Sequence, residues 1–157
     1  MSTHTIRLAG PWEQIAVAAH QEKAPVRCQL PALISVGEMN LLLARAFHRP
    51  TRLTPETRVE VVVSTCNADV IVRLNDVTLA ASSEANDAAK EPDKTAAGAS
   101  SKASTSDIQG TDVARFPTGD CLRDFNRLEV SVTRRSGDPQ LEAGLIHVSL
   151  QIIEPSV

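Results

Sequence analysis

The stretch Ala68-Asp69-Val70-Ile71-Val72-Arg73-Leu74-Asn75-Asp76-Val77-Thr78-Leu79 decides the fold. Val70, Val72 and Leu74 share one side of an extended chain and alternate against Arg73 and Asn75. A period of two with one polar side marks a half-buried antiparallel strand. Asn75-Asp76 then separates two apolar runs. Asn and Asp tolerate positive φ best after glycine, so this pair predicts a tight hairpin turn.

The same period extends outward from this hairpin. In Val59-Glu60-Val61-Val62-Val63-Ser64 the residues at 59, 61 and 63 share a face. Leu128, Val130 and Val132 alternate against Glu129, Ser131 and Thr133. Ile146, Val148, Leu150 and Ile152 alternate against His147, Ser149 and Gln151. Shorter strands are predicted at 5–8, 12–17 and 26–30. Many short strands bounded by Pro, Gly, Asn or Asp imply an all-β, two-sheet sandwich.

Composition bounds what such a sandwich can do. The chain has 157 residues, which suits one domain over 1–157, and a chain of this size buries about two-thirds of its surface. A (β/α)₈ barrel needs roughly 250 residues and does not fit. Aromatics make up 3% of the chain, with no Tyr and one Trp, which speaks against stacking platforms for sugars or bases. A formal net charge of -3 argues against nucleic-acid and membrane partners. Cys28, Cys66 and Cys121 are widely spaced, form no C-x-x-C pair and have no neighbouring His, so neither a zinc site nor a disulfide framework is expected. The N-terminal residues lack the pattern of a signal peptide, and no apolar run approaches the roughly 20 residues of a spanning helix. The expected setting is reduced and cytoplasmic.

Two segments stand apart. Residues 81–107 contain no Val, Ile, Leu, Met or aromatic side chain, and carry five acids and three lysines. Such a stretch buries too little apolar surface to offset an ordering cost of roughly 1–2 kcal/mol per residue. It is therefore expected to be a disordered insertion loop, tolerated because long insertions cost little in closure entropy. Residues 37–49 are rich in helix formers and end before Pro50. Their apolar positions separate cleanly at neither period, so pattern leaves helix and strand open.

That second segment carries a resemblance. Ala44-Arg45-Ala46-Phe47-His48-Arg49-Pro50-Thr51-Arg52-Leu53 resembles the R-x-F-x-x-P-x-x-L strand and turn of the sugar-binding domains of family 2 glycoside hydrolases. The hydrophobic strand at 59–64 follows, and the hairpin at 68–79 is similar to the family's a-x-V-x-L-N-G-x-x-L. Asp112-Val113 through Asn126-Arg127-Leu128-Glu129-Val130 resembles f-D-V-T-x-x-L-x-x-x-N-x-L-x-V. Gly144-Leu145-Ile146-His147-Val148-Ser149-Leu150 resembles the closing G-x-x-G-x-V-x-L strand, and Trp12 the G-x-W opening. The resemblance implies a galactose-binding-like jelly-roll sandwich with residues 41–49 as a strand. Asp76 stands where the family has glycine, and the 81–107 insertion replaces a segment that runs toward the active site in full-length enzymes. No catalytic barrel accompanies the motifs, so the resemblance implies a stand-alone accessory domain, not a hydrolase.

Catalytic residues are not evident. Glycoside hydrolysis needs two carboxylates about 5–9 Å apart, and Glu60, Asp69, Glu129 and Glu142 are scattered in sequence. His4, His20, His48 and His147 are far apart, and no motif calls for a metal or cofactor. For sugar binding, Arg45, His48, Arg73 and His147 fall on strand faces and can offer donors to hydroxyls. Trp12 is the one ring suited to a pyranose face, although a buried strand tryptophan is its plainer role. The expected function is a non-catalytic carbohydrate-binding accessory module. A protein-interaction or oligomerisation module is the rival, because such sandwiches often only support neighbours.

Overall fold

The computed structural model describes residues 2–15, 24–82, 111–135, 138 and 140–155. Most of the predicted insertion, residues 83–107, lies outside this set, as do His20 and positions 16 and 17 of the predicted second strand. The described strands are β1 (Ser2–Arg7), β2 (Trp12–Ile15), β3 (Val26–Cys28), β4 (Ala32–Leu33), β5 (Asn40–His48), β6 (Arg58–Cys66), β7 (Ala68–Leu74), β8 (Val77–Thr78), β9 (Thr111–Pro117), β10 (Phe125–Arg134) and β11 (Gly144–Glu154). One sheet runs β1-β11-β6-β9, with β4 joined to β11. The other runs β3-β2-β5-β10-β7-β8. Every pairing is antiparallel.

The alternation read from the sequence points the right residues inward. Val61, Val63, Val148 and Leu150 of the first sheet and Leu43, Val72, Leu74, Leu128, Val130 and Val132 of the second are fully buried in one core. Burying each such side chain contributes about 1.5–3 kcal/mol relative to exposure. The molecule is an all-β, two-sheet jelly-roll sandwich.

β5 forms despite its helix propensity. It is a central strand, paired with β10 from Asn40 to His48 and with β2 through Leu42, Leu43 and Ala44. Two ladders and the burial of Leu41, Leu43 and Phe47 outweigh a preference worth a few tenths of a kcal/mol per residue. The turn after β7 also follows expectation. Asn75 and Asp76 both adopt positive φ, 50° and 70°, as a two-residue hairpin that matches strand twist requires.

The last strand departs from simple alternation. Its register shifts between Leu145 and His147, so Leu145 enters the core while Ile146 is the extra, half-buried residue. The bulge corrects the expectation that Ile146 shares the face of Val148. Next to it Gly144 has a steric reason: a Cβ there would meet the Ala32 carbonyl oxygen at 2.3 Å. Only glycine lets β4 lie this close to β11.

Candidate functional site

The five residues singled out from the sequence do not converge. Trp12 is fully buried, and its Nε1 donates to the Leu8 carbonyl at 2.8 Å. With its ring in the core and its one donor used, it has no face for a sugar, which corrects its candidacy. Arg45 lies in the inward register of β5, on the same side as Leu41, Leu43 and Phe47 and paired across to Leu128. Its Nη1 is buried without a hydrogen-bond partner, and burial pulls the pKa of the guanidinium below its ordinary value.

His48 and Arg73 are on the opposite, outer face of that sheet. The His48 ring meets Phe125 edge-on, with centroids 5.4 Å apart. Arg73 sits 3.5 Å from Glu129, which also accepts from Arg127 Nε at 3.1 Å. His147 is half-buried on the other sheet, in the outward register of β11 and opposite Ser64. The set is thus divided between the interior and two outer faces, and neither of the two concavities described below contains any member.

Several motif residues instead hold the fold. Asn126 is fully buried; its Oδ1 accepts from the Arg123 N–H at 2.8 Å and from Asn75 Nδ2 at 2.9 Å, and its Nδ2 donates to the Arg123 carbonyl at 2.6 Å. Asn75 completes the knot by donating to the Cys121 carbonyl at 2.8 Å and accepting from the Arg127 N–H at 3.0 Å. Arg134 is buried and donates to the carbonyls of Ile34, Leu141 and Asp138. Asp69, which looked isolated in sequence, meets Asp112 around Arg135. Each carboxylate accepts from that guanidinium at 2.8 Å, and these hydrogen bonds raise its pKa. Those acids are engaged as an ion triad.

The larger concavity is a cleft of about 540 Å³ at one end of the sandwich. It is formed where the β5–β6 connection meets the segment between β9 and β10. Arg49, Glu56, Arg58 and Asp120 supply two guanidinium groups and two carboxylates of balancing charge, and Leu53, Val59 and Leu122 supply apolar wall. The loops are held locally: the Arg49 N–H donates to the Asp124 carbonyl at 2.9 Å, and Thr118 Oγ1 donates to the Val59 carbonyl at 3.0 Å. Pro50, Pro55 and Gly119 are residue types that favour turns. That the two turns meet is a tertiary fact with no local signal.

A second concavity of about 490 Å³ lies on the outer face of the β1-β11-β6-β9 sheet, lined by Thr3, Arg58, Glu60, Ser82, Arg115, Gln151 and Ile153. Glu60 is buried there, 3.7 Å from Arg115, whose Nη1 also donates to Gln151 Oε1. Among the described residues, no group of three or more His, Cys, Asp or Glu is placed to hold a metal ion. The three cysteines are free, and burial raises the thiol pKa of Cys28 and Cys66.

These features define a two-sheet β-sandwich with a polar cleft at one loop end. The same sandwich occurs in solved structures of much larger enzymes. It matches a β-glucuronidase of Bacteroides uniformis with a TM-score of 0.64 and 11% identity, over 98% of this chain and 18% of that one. It matches a β-glucuronidase of Bifidobacterium dentium with a TM-score of 0.60 and 14% identity, over 99% of this chain and 31% of that one. A β-glucuronidase of Dictyoglomus thermophilum gives 0.58 and 10% identity, over 97% of this chain and 28% of that one. No family model and no curated protein sequence matches the chain. The chain therefore resembles the sandwich domain of family 2 glycoside hydrolases at the level of fold, and spans less than a third of those three enzymes.

Proposed function

We propose that this chain is a non-catalytic β-sandwich module that takes a carbohydrate ligand in the loop-end cleft. The cleft itself supports this reading. At about 540 Å³ it falls within the roughly 300–1,000 Å³ typical of small-ligand sites. Arg49 and Arg58 offer planar forks of donors, and Glu56 and Asp120 accept from hydroxyls. Leu53, Val59 and Leu122 can face the C–H side of a sugar ring. With no aromatic platform, affinity rests on polar contacts worth about 0.5–1.5 kcal/mol net each. Binding in the millimolar range, about -4 kcal/mol, is expected.

Catalysis is not part of the proposal. Glu56 and Asp120 both line the cleft, yet both are exposed, whereas a glycosidic general acid is held protonated by an apolar surrounding. The experiment is a glycan array followed by calorimetry on the purified chain, with Arg49→Ala as the site variant. Weak binding lost in that variant is expected. Turnover of an aryl glycoside that disappears in Glu56→Gln or Asp120→Asn overturns the non-catalytic reading.

A second reading has its own observation. Ile15, Leu42, Ser131 and Ile71 form one row across the outer face of the β2-β5-β10-β7 strands, and Ile71 is 56% exposed. An outer sheet row carrying half-buried and exposed apolar side chains suits a protein partner. Silence against every glycan moves the weight to that face.

A further inference from the structure

We infer that the two concavities act as one groove, and that the ligand is an extended saccharide chain of two or more residues. This inference rests on the carbohydrate reading above. Arg58 lines both the loop-end cleft and the concavity on the outer sheet face. It is the first residue of β6, at the corner where the sandwich end turns onto that face. Its neighbour Val59 lines the end cleft, while Glu60 lines the outer concavity. One exposed guanidinium therefore borders two spaces, each large enough for a sugar-sized group.

The outer concavity is built in register rows. Thr3, Ile153 and Arg58 pair across β1, β11 and β6, and the adjacent row on the same face places Gln151 beside Glu60. Glu60 is 94% buried by its surroundings, at 6% exposure, and accepts no side-chain hydrogen bond among the described residues apart from its ion pair with Arg115. Glu60 holds the Arg115 guanidinium from below, while Arg115 and Gln151, both half-buried, keep N–H donors beyond these contacts and present them side by side. Paired hydroxyls on adjacent sugar carbons match that arrangement. Thr3 and Ser82 add hydroxyl groups at the rim. A single sugar fills only one of the two spaces, so binding should depend on chain length.

The test is an NMR titration of the full chain with linear xylo-, cello-, manno- and galacto-oligosaccharides from one to six units. One series is expected to bind at least tenfold tighter as hexamer than as monomer. Backbone shifts at Thr3, Glu60 and Gln151 should appear only with the longer chains. Gln151→Ala and, independently, Thr3→Ala should bring the hexamer-to-monomer ratio down toward one, each variant's fold being checked in the same spectra. Equal affinity for monomer and hexamer overturns the groove while leaving the end cleft as a small-sugar site. A length effect that survives both substitutions also overturns it. Absence of any saccharide-induced shift at residues 49–59 and 118–122 overturns the carbohydrate reading itself.

Discussion

Asn75 Nδ2 donates to Asn126 Oδ1 at 2.9 Å, joining the turn after β7 to the second residue of β10. Both asparagines belong to motifs whose resemblance pointed toward sugar binding. Their amides are spent on backbone groups of the same chain, and Asn126 has no exposed surface. The motifs therefore report on how the sandwich is closed, and the ligand has to be sought elsewhere.

Asn126→Ala removes three hydrogen bonds and leaves the Arg123 amide and carbonyl groups without these partners. Each bond contributes about 0.5–1.5 kcal/mol net, so a loss of about 2–4 kcal/mol is expected. Urea unfolding of the two proteins measures it. A shift smaller than that of an exposed surface variant would contradict the knot.

Phe47 is in the core on the inward side of β5. Phe47→Ala is expected to cost about 3–5 kcal/mol, transfer and cavity together. An unchanged unfolding midpoint would show that β5 is not packed as described.

The strands were legible because alternation is a local property. Val59 to Val63, Leu128 to Val132 and the Asn75-Asp76 turn each carry their own signal. β5 was legible only through motif order, since its composition favours a helix and its pairing partners lie far away in sequence. Ile146 was misplaced because a bulge adds one residue and reverses the faces beyond it. The site was mostly illegible. Arg45 occupies an inward position that a polar residue disguises, and the cleft exists only where two turns distant in sequence meet.

Arg45 gives the fold a buried, unmatched donor at Nη1. Arg45→Met keeps much of the stem packing and removes that donor, and an increase in stability of about 1 kcal/mol is expected. Thermal unfolding reads the change directly. A clear loss of stability would mean that the guanidinium has a partner within the folded chain.

Burial raises the Cys66 thiol above its ordinary value of 9.0, with the nearby Glu142 charge adding to the effect. The unfolded chain then loses this proton first as pH rises. The stabilising contribution is whole below pH 9.0, and falls as pH climbs from there through the higher folded value. Wild-type stability should drop between pH 8 and pH 10 more than that of Cys66→Ala, on the order of tenths of a kcal/mol to one. Equal slopes in urea titrations at these pH values would show that the thiol is not held in a desolvated site. At neutral pH the same burial should make Cys66 slow to alkylate until the chain unfolds.

The function of the chain turns on whether the end of the sandwich is a ligand site. The direct measurement is a backbone NMR titration with a panel of saccharides, recorded on the wild type and on Arg49→Ala. Millimolar binding by at least one saccharide is expected, with shifts concentrated at residues 49–59 and 118–122 and abolished in the variant. Saccharide-induced shifts confined to Leu42, Ile71 and Ser131, or none at any concentration, would contradict it.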